Sequence, residues 1–182
     1  PQPGEVRIRQ RAIGVNFIDV YLRRGWIPPM LSPGGTPGME AAGSVLDVGE
    51  GVSGLLPGDR VAYLGPVPGA YSSVRSVPAD WVVRRPESMT AFDAMTLGTA
   101  GFTAALAIEL MEHNGLKPDS GPVAVTGATG GVGSVAVEIL AKPASGTATG
   151  TFRARGRIMK FDGYRRVLPP GAHYLEVFRV AG

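Results

Sequence analysis

The sequence predicts a mixed α and β fold: a small antiparallel β-barrel or sandwich, then one strand–glycine loop–helix unit, then a basic β-hairpin tail. Three observations predict it. Gly (27) and Pro (16) make up 43 of 182 residues, about twice the usual share and without a collagen-like period. Short alternating segments separated by turn signals fill residues 1–86. Past Pro86 the breakers thin out, and V-A-V-T-G-A-T-G-G-V-G-S at 123–134 runs from an apolar strand through spaced glycines toward a helix.

Each element follows from its residues. In E-V-R-I-R-Q-R at 5–11, Val6 and Ile8 alternate with arginines, the pattern of a half-buried antiparallel strand. Phe17, Val20 and Tyr21 stand at helical offsets, so residues 17–24 are expected to form a short helix stopped by Gly25. Residues 28–38 are a turn-rich loop. Strands are expected at 41–48, 60–63, 69–77 and 81–84. Two helices are expected, at about 91–98 and 102–114, with Gly115 as the stop. The run 122–126 suits a buried parallel strand, and 134–141 a helix. After Lys142 comes a small-residue linker. In 152–158 arginines then alternate with Phe152, Ala154, Gly156 and Ile158. Asp162-Gly163 signals a hairpin turn, with 164–168 as its return strand. Residues 174–180 are also strand-like.

Composition excludes several chemistries. There is no Cys, so there is no disulfide, no thiolate metal site and no thiol nucleophile. Two His residues, His113 and His173, do not make a His-rich metal centre. Residues 1–142 hold 11 basic and 13 acidic side chains, and 143–182 hold 7 and 2, so the positive charge sits in the tail. No run of 18 apolar residues is seen, which predicts no membrane span. The start, P-Q-P-G, lacks the regions of a signal peptide. A cytoplasmic location is the expectation. The missing initiator Met suggests a piece of something longer.

The glycine loop carries the most chemistry. Gly127, Gly130 and Gly133 are spaced three apart between a strand and a helix. Absent side chains let a backbone approach a ligand, and a helix start offers N–H groups and a positive dipole end to a phosphate. This is the physics of a dinucleotide-binding loop. A tight strand–helix turn without a ligand is the plainer reading of the same residues.

The motifs resemble a known family. A-I-G-V-N-F-I-D-V-Y at 12–21, P-G-M-E-A-A-G-S-V at 37–45, V-G-E-G-V at 48–52, P-G-D-R-V-A-Y at 57–63 and G-A-Y-S-S-V at 69–74 resemble the GroES-like domain of zinc-independent quinone oxidoreductases. These belong to the medium-chain dehydrogenase/reductase superfamily. L-G-T-A-G-F-T-A at 97–104 and V-T-G-A-T-G-G-V-G-S at 125–134 look like the acryloyl-CoA reductase branch. The resemblance covers about three quarters of the chain. It implies a GroES-like domain at 1–88, an incomplete Rossmann segment at 89–142, and a linker with a basic β tail at 143–182. It also implies NADPH-dependent reduction of a quinone or an α,β-unsaturated carbonyl, and it leaves a homodimer open. Met39 stands where zinc-dependent relatives place His, and Met is a poor zinc ligand, so no metal is expected.

Roles carry over by resemblance, residue by residue. Asn16 and Tyr21 match catalytic positions near the substrate carbonyl. Ile18, Thr99 and Thr103 match cofactor-lining positions, and Gly130, Gly131, Val132 and Gly133 match pyrophosphate contacts. Each has a plainer reading: Asn16 as a strand-end residue bonding its own backbone, Tyr21 and Ile18 as core, the threonines as helix caps. Trp26 stands where relatives often have Tyr, so a phenol is absent there.

The resemblance stops after Lys142. No acidic residue lies near 153 to hold a ribose, and the second parallel strand of the family is not evident. The chain is therefore expected to be a truncated or mosaic form with weak or lost NADPH binding. Residues 152–167 faintly resemble a short β segment of bacterial type I DNA topoisomerases. A non-catalytic fragment that weakly binds nucleic acid or acts as a scaffold is the alternative. A solvated charged face is the more ordinary reading of that segment, and a nucleic-acid partner is not expected.

Overall fold

A computed structural model describes residues 1–27, 30–32, 34–117 and 123–141, together with the backbone of 173–175. The chain divides into two compact units, the first being Pro1–Thr99 and the second beginning at Ala100.

The first unit is built on a five-stranded antiparallel sheet, β1 (Glu5–Ile13), β2 (Glu40–Val48), β3 (Arg60–Leu64), β4 (Val74–Pro78) and β5 (Val82–Arg84), in the order β4-β1-β2-β3-β5. The alternation in β1 does what the sequence predicts: Val6, Ile8 and Gln10 are buried while Arg7, Arg9 and Arg11 face water. Arg7 lies opposite Asp47 on β2 and pairs with it. Two register shifts in the β1–β2 ladder add local twist. Val6, Ile8, Ala41, Val45, Leu55, Val61, Tyr63, Ala70 and Val77 form the core of the unit. Each fully buried Val or Ile is worth about 1.5–3 kcal/mol.

Three expectations shift here. The strand expected at 69–77 starts only at Val74. Gly69 and Ala70 both donate their N–H to Gly38 O, at 2.9 and 3.0 Å, so this stretch clasps the 37–38 turn rather than joining the ladder. Residues 79–81 form a 3-10 turn, and β5 is only Val82–Arg84. β2 begins at Glu40, one residue earlier than expected, and so takes a carboxylate into a buried strand.

Helix α1 (Phe17–Arg23) follows β1 as expected. The two helices expected at 91–98 and 102–114 form α2 (Ala91–His113), two helical stretches that meet at a break at Gly98, whose backbone is non-helical. Its start is a reciprocal cap: Thr90 N and Oγ1 donate to Asp93 Oδ2 at 2.9 and 2.6 Å, and Asp93 N donates to Thr90 Oγ1 at 3.1 Å. Those bonds hold the Asp93 carboxyl below its ordinary pKa. By length and composition alone α2 is long and apolar enough to cross a membrane, although its helical geometry is broken at Gly98. It also carries Ala94, Ala104 and Ile108 into protein cores.

In the second unit, β6 (Val123–Val125) leads through the glycine loop into α3 (Gly131–Ala141), three residues earlier than expected. Ala104, Ile108, Leu116, Val123, Ala136 and Leu140 pack together. A further strand, β7 (His173–Leu175), pairs with β6 in parallel, Val123 opposite His173. The basic hairpin expected at 151–168 lies outside the described residues.

Candidate active site

In the first unit, two buried carboxylates organise the residues between β1 and α1. Asp19 is 6% exposed and Glu40 is 3% exposed. Charged side chains are rarely this buried unless their oxygens are bonded, and here they are. Asp19 reaches back from the first turn of α1 and accepts from Asn16 N at 2.9 Å. It also accepts from Gly38 N at 3.1 Å and from the Tyr71 hydroxyl at 3.0 Å. Burial, together with the bond to Asp19 and its charge, pushes the Tyr71 phenol up to about 12.

Glu40 sits at the start of β2. Its Oε1 accepts from Asn16 Nδ2 at 2.7 Å. Its Oε2 accepts from Thr99 N at 2.6 Å and from Thr99 Oγ1 at 2.8 Å. Thr99 follows the kink in α2. A carboxylate from another element accepts its N–H there, and an acceptor suits the start of a helical stretch. Both flanks of this carboxylate are glycine. A Cβ on Gly14 would overlap the Glu40 carboxyl, and one on Gly98 would lie 2.7 Å from its Oε1.

Two of the residues singled out from the sequence, Asn16 and Thr99, thus meet on one carboxylate. Asn16 is half-buried and extended, with φ −123° and ψ 157°. Its carboxamide nitrogen is held from outside its own loop, while Asn16 and Asp19 form a capping box at the start of α1. Tyr21 stacks on Trp26 with centroids 5.3 Å apart and meets Phe17 edge-on at 5.2 Å. Trp26 is 57% exposed, and Arg24 lies over it at 5.0 Å. Ile18 is half-buried. A shallow open groove of about 530 Å³ runs between Gln10–Ile13 and Tyr71–Ser73. Its floor is tied together by Gln10, which accepts from the Tyr63 hydroxyl at 2.9 Å and donates to Ser72 O at 2.8 Å.

In the second unit, Thr103 is exposed on α2. In the glycine loop, Gly130 and Gly131 are exposed, Val132 is half-buried and Gly133 is buried. Gly130 N donates to Gly127 O at 2.8 Å, which closes the turn. A Cβ on Gly133 would overlap Gly127 O. Gly133 is therefore required by the loop's own packing, whereas a Cβ on Gly130 would lie 3.3 Å from Gly127 O and one on Gly131 3.4 Å from Ala100 Cβ. Among the described residues, no three His, Asp or Glu side chains gather in a way that could hold a metal.

Sequence reasoning passed over Asp19, Glu40 and Tyr71. For Asp19 the signal was present, because Asn16-x-x-Asp19 has capping-box spacing before an apolar run. For Glu40 it was a lone charge ahead of the small, apolar Ala41-Ala42-Gly43. Nothing local marks Tyr71.

Known proteins share this arrangement of chain. Residues 2–87 match the alcohol dehydrogenase GroES-like domain. The acrylyl-CoA reductase of Ruegeria pomeroyi is 44% identical over 151 residues, covering 76% of this chain and 43% of that protein. The quinone oxidoreductase of Salmonella typhimurium is 39% identical over 138 residues, covering 76% and 41%. The crystal structure of Escherichia coli quinone oxidoreductase complexed with NADPH superposes with a TM-score of 0.66 at 36% identity, covering 76% of this chain and 42% of that one. This chain therefore spans less than half the length of these relatives. Over about three quarters of its residues, it is a segment of the medium-chain dehydrogenase/reductase superfamily, homologous to its quinone oxidoreductases and acrylyl-CoA reductases, and it opens on their GroES-like domain.

Proposed function

We propose that the protein to which these residues belong is a zinc-independent, NADPH-dependent reductase of quinones or α,β-unsaturated carbonyl compounds. The observation that carries this reading is the match, over 76% of the chain, to a quinone oxidoreductase solved with NADPH. In this reading 1–88 is the substrate-side domain, 89–142 the opening of the nucleotide fold, and 143–182 a linker and basic tail. The cytoplasm is the location and a homodimer the assembly that this reading favours.

The residues present fit the dinucleotide's pyrophosphate. Exposed Gly130 and Gly131 at the start of α3 leave room for phosphate oxygens beside helix N–H groups. Val132 and Gly133 continue that turn, and Ile18, Thr99 and Thr103 stand at positions that the resemblance assigns to cofactor lining. Bound NADPH supplies the hydride. The chain's task is to bind and orient. Asn16 offers an amide N–H to the substrate oxygen on which negative charge develops. Tyr21, backed by Phe17 and Trp26, forms an aromatic wall for a planar substrate.

The test is NADPH oxidation followed at 340 nm with a benzoquinone or an enone as acceptor. Turnover that falls by about 100-fold in Asn16→Ala supports the reading. Absence of turnover by the whole protein to which these residues belong, together with no quenching or enhancement of NADPH fluorescence, refutes it. We expect weak cofactor binding by this segment, because the pyrophosphate loop holds only part of a dinucleotide. Sub-micromolar affinity that is abolished by Gly130→Val would overturn that expectation.

A further inference from the structure

We propose that Glu40 is a positioning residue: its buried carboxylate fixes the Asn16 carboxamide and ties it to the kink of α2 through Thr99. The inference rests on the reductase reading for its consequence, but not for its geometry. Asn16 Nδ2 carries two N–H groups, and one is committed to Glu40 Oε1 at 2.7 Å. The amide therefore presents its second N–H in one orientation, and the flip that would exchange Nδ2 for Oδ1 would set two acceptors against each other. The other oxygen of the same carboxylate takes both donors of Thr99. Carboxylate-assisted bonds are about twice as strong as neutral ones, and this one is walled by Gly14 and Gly98, where a side chain would strike it. The 97–99 kink and the Asn16 loop therefore cannot move independently: a shift of Thr99 pulls the carboxylate, and the carboxylate turns the amide.

Glu40→Gln tests this on the full chain. An amide keeps the shape but puts a donor where one of the two acceptors stood, so it can satisfy Asn16 or Thr99 but not both. In ¹⁵N spectra, the Asn16 side-chain amide and the Thr99 backbone amide should both shift while the remaining sheet resonances stay in place. An Asn16 resonance that does not move would overturn the proposal, leaving Glu40 as a helix cap only. Thr99→Val removes one donor without touching the strand and serves if Glu40→Gln does not fold. The Asn16 side-chain amide should again shift, and a static one again overturns the proposal. In NADPH-dependent quinone reduction, Glu40→Gln should lower kcat by about 10- to 100-fold through misplacement of the amide, with KM for the quinone close to wild type. A loss carried by KM alone would overturn the positioning role. Absence of turnover by the whole wild-type protein to which these residues belong would refute the reductase reading, while the spectra would still decide the positioning.

Discussion

Gly14 and Gly98 are glycine for one shared reason, the Glu40 carboxylate, although only Gly98 also needs a left-handed backbone, with φ 39°. Gly14→Ala should destabilise the fold by about 1–3 kcal/mol through overpacking alone. Gly98→Ala adds the cost of positive φ, about 1–2 kcal/mol, and should be the worse of the two. Urea unfolding of both variants checks the order. Tyr71 allows a prediction in pH. Its folded pKa is pushed up to about 12, above the ordinary phenol value of 10.0. The unfolded chain therefore releases this proton first as pH rises. Stability present below about pH 10 is lost as pH climbs through 12. In Tyr71→Phe that decline should be shallower, as thermal unfolding from pH 9 upward would show. At neutral pH the same variant should cost about 1 kcal/mol, the usual worth of one hydrogen bond.

At the scale of elements, the glycine loop separates two kinds of glycine that sequence spacing makes equivalent. Gly133 is buried against Gly127 O, while Gly130 is exposed. Gly133→Ala should lower thermal stability, by about 1–3 kcal/mol for an overpacked contact. Gly130→Ala should leave the melting temperature close to wild type and weaken NADPH binding. Calorimetry and fluorescence titration on the same two proteins distinguish these outcomes. In helix α2 the break expected between two helical stretches falls at Gly98, and it coincides with a carboxylate that receives the next N–H. The kink is thus held in place from β2, not from within the helix.

At the scale of the whole molecule, zinc chemistry has no support in the described residues. Met39 is buried at 7% exposure, in line with a core residue, and no cluster of metal-binding side chains accompanies it. Elemental analysis of the purified protein should find zinc well below one atom per chain, and a stoichiometric zinc would contradict the zinc-independent assignment. The chain spans less than half of the relatives reported above, so cofactor affinity is the property most sensitive to what these 182 residues contain.

Periodicity and turn chemistry were enough to place β1, β2 and β3 of the first unit, but not the start of β4 or the order of the strands. Val6 and Ile8 alternate with arginines, so burying one face of β1 leaves only one register of facing for that strand. The strand–glycine loop–helix unit was equally legible, because missing side chains leave a mark in the sequence itself, as did Asn16 and Thr99 through family motifs. The tertiary structure alone decided that these two residues share one carboxylate. Asn16, Glu40 and Thr99 are separated by 24 and 59 residues, and no local pattern encodes which distant donors a buried acceptor will meet. The same holds for Tyr71 on Asp19, 52 residues apart. Burial forces each buried oxygen to find donors, but which donors lie within reach is fixed only when β2, α1 and the 69–73 loop pack together.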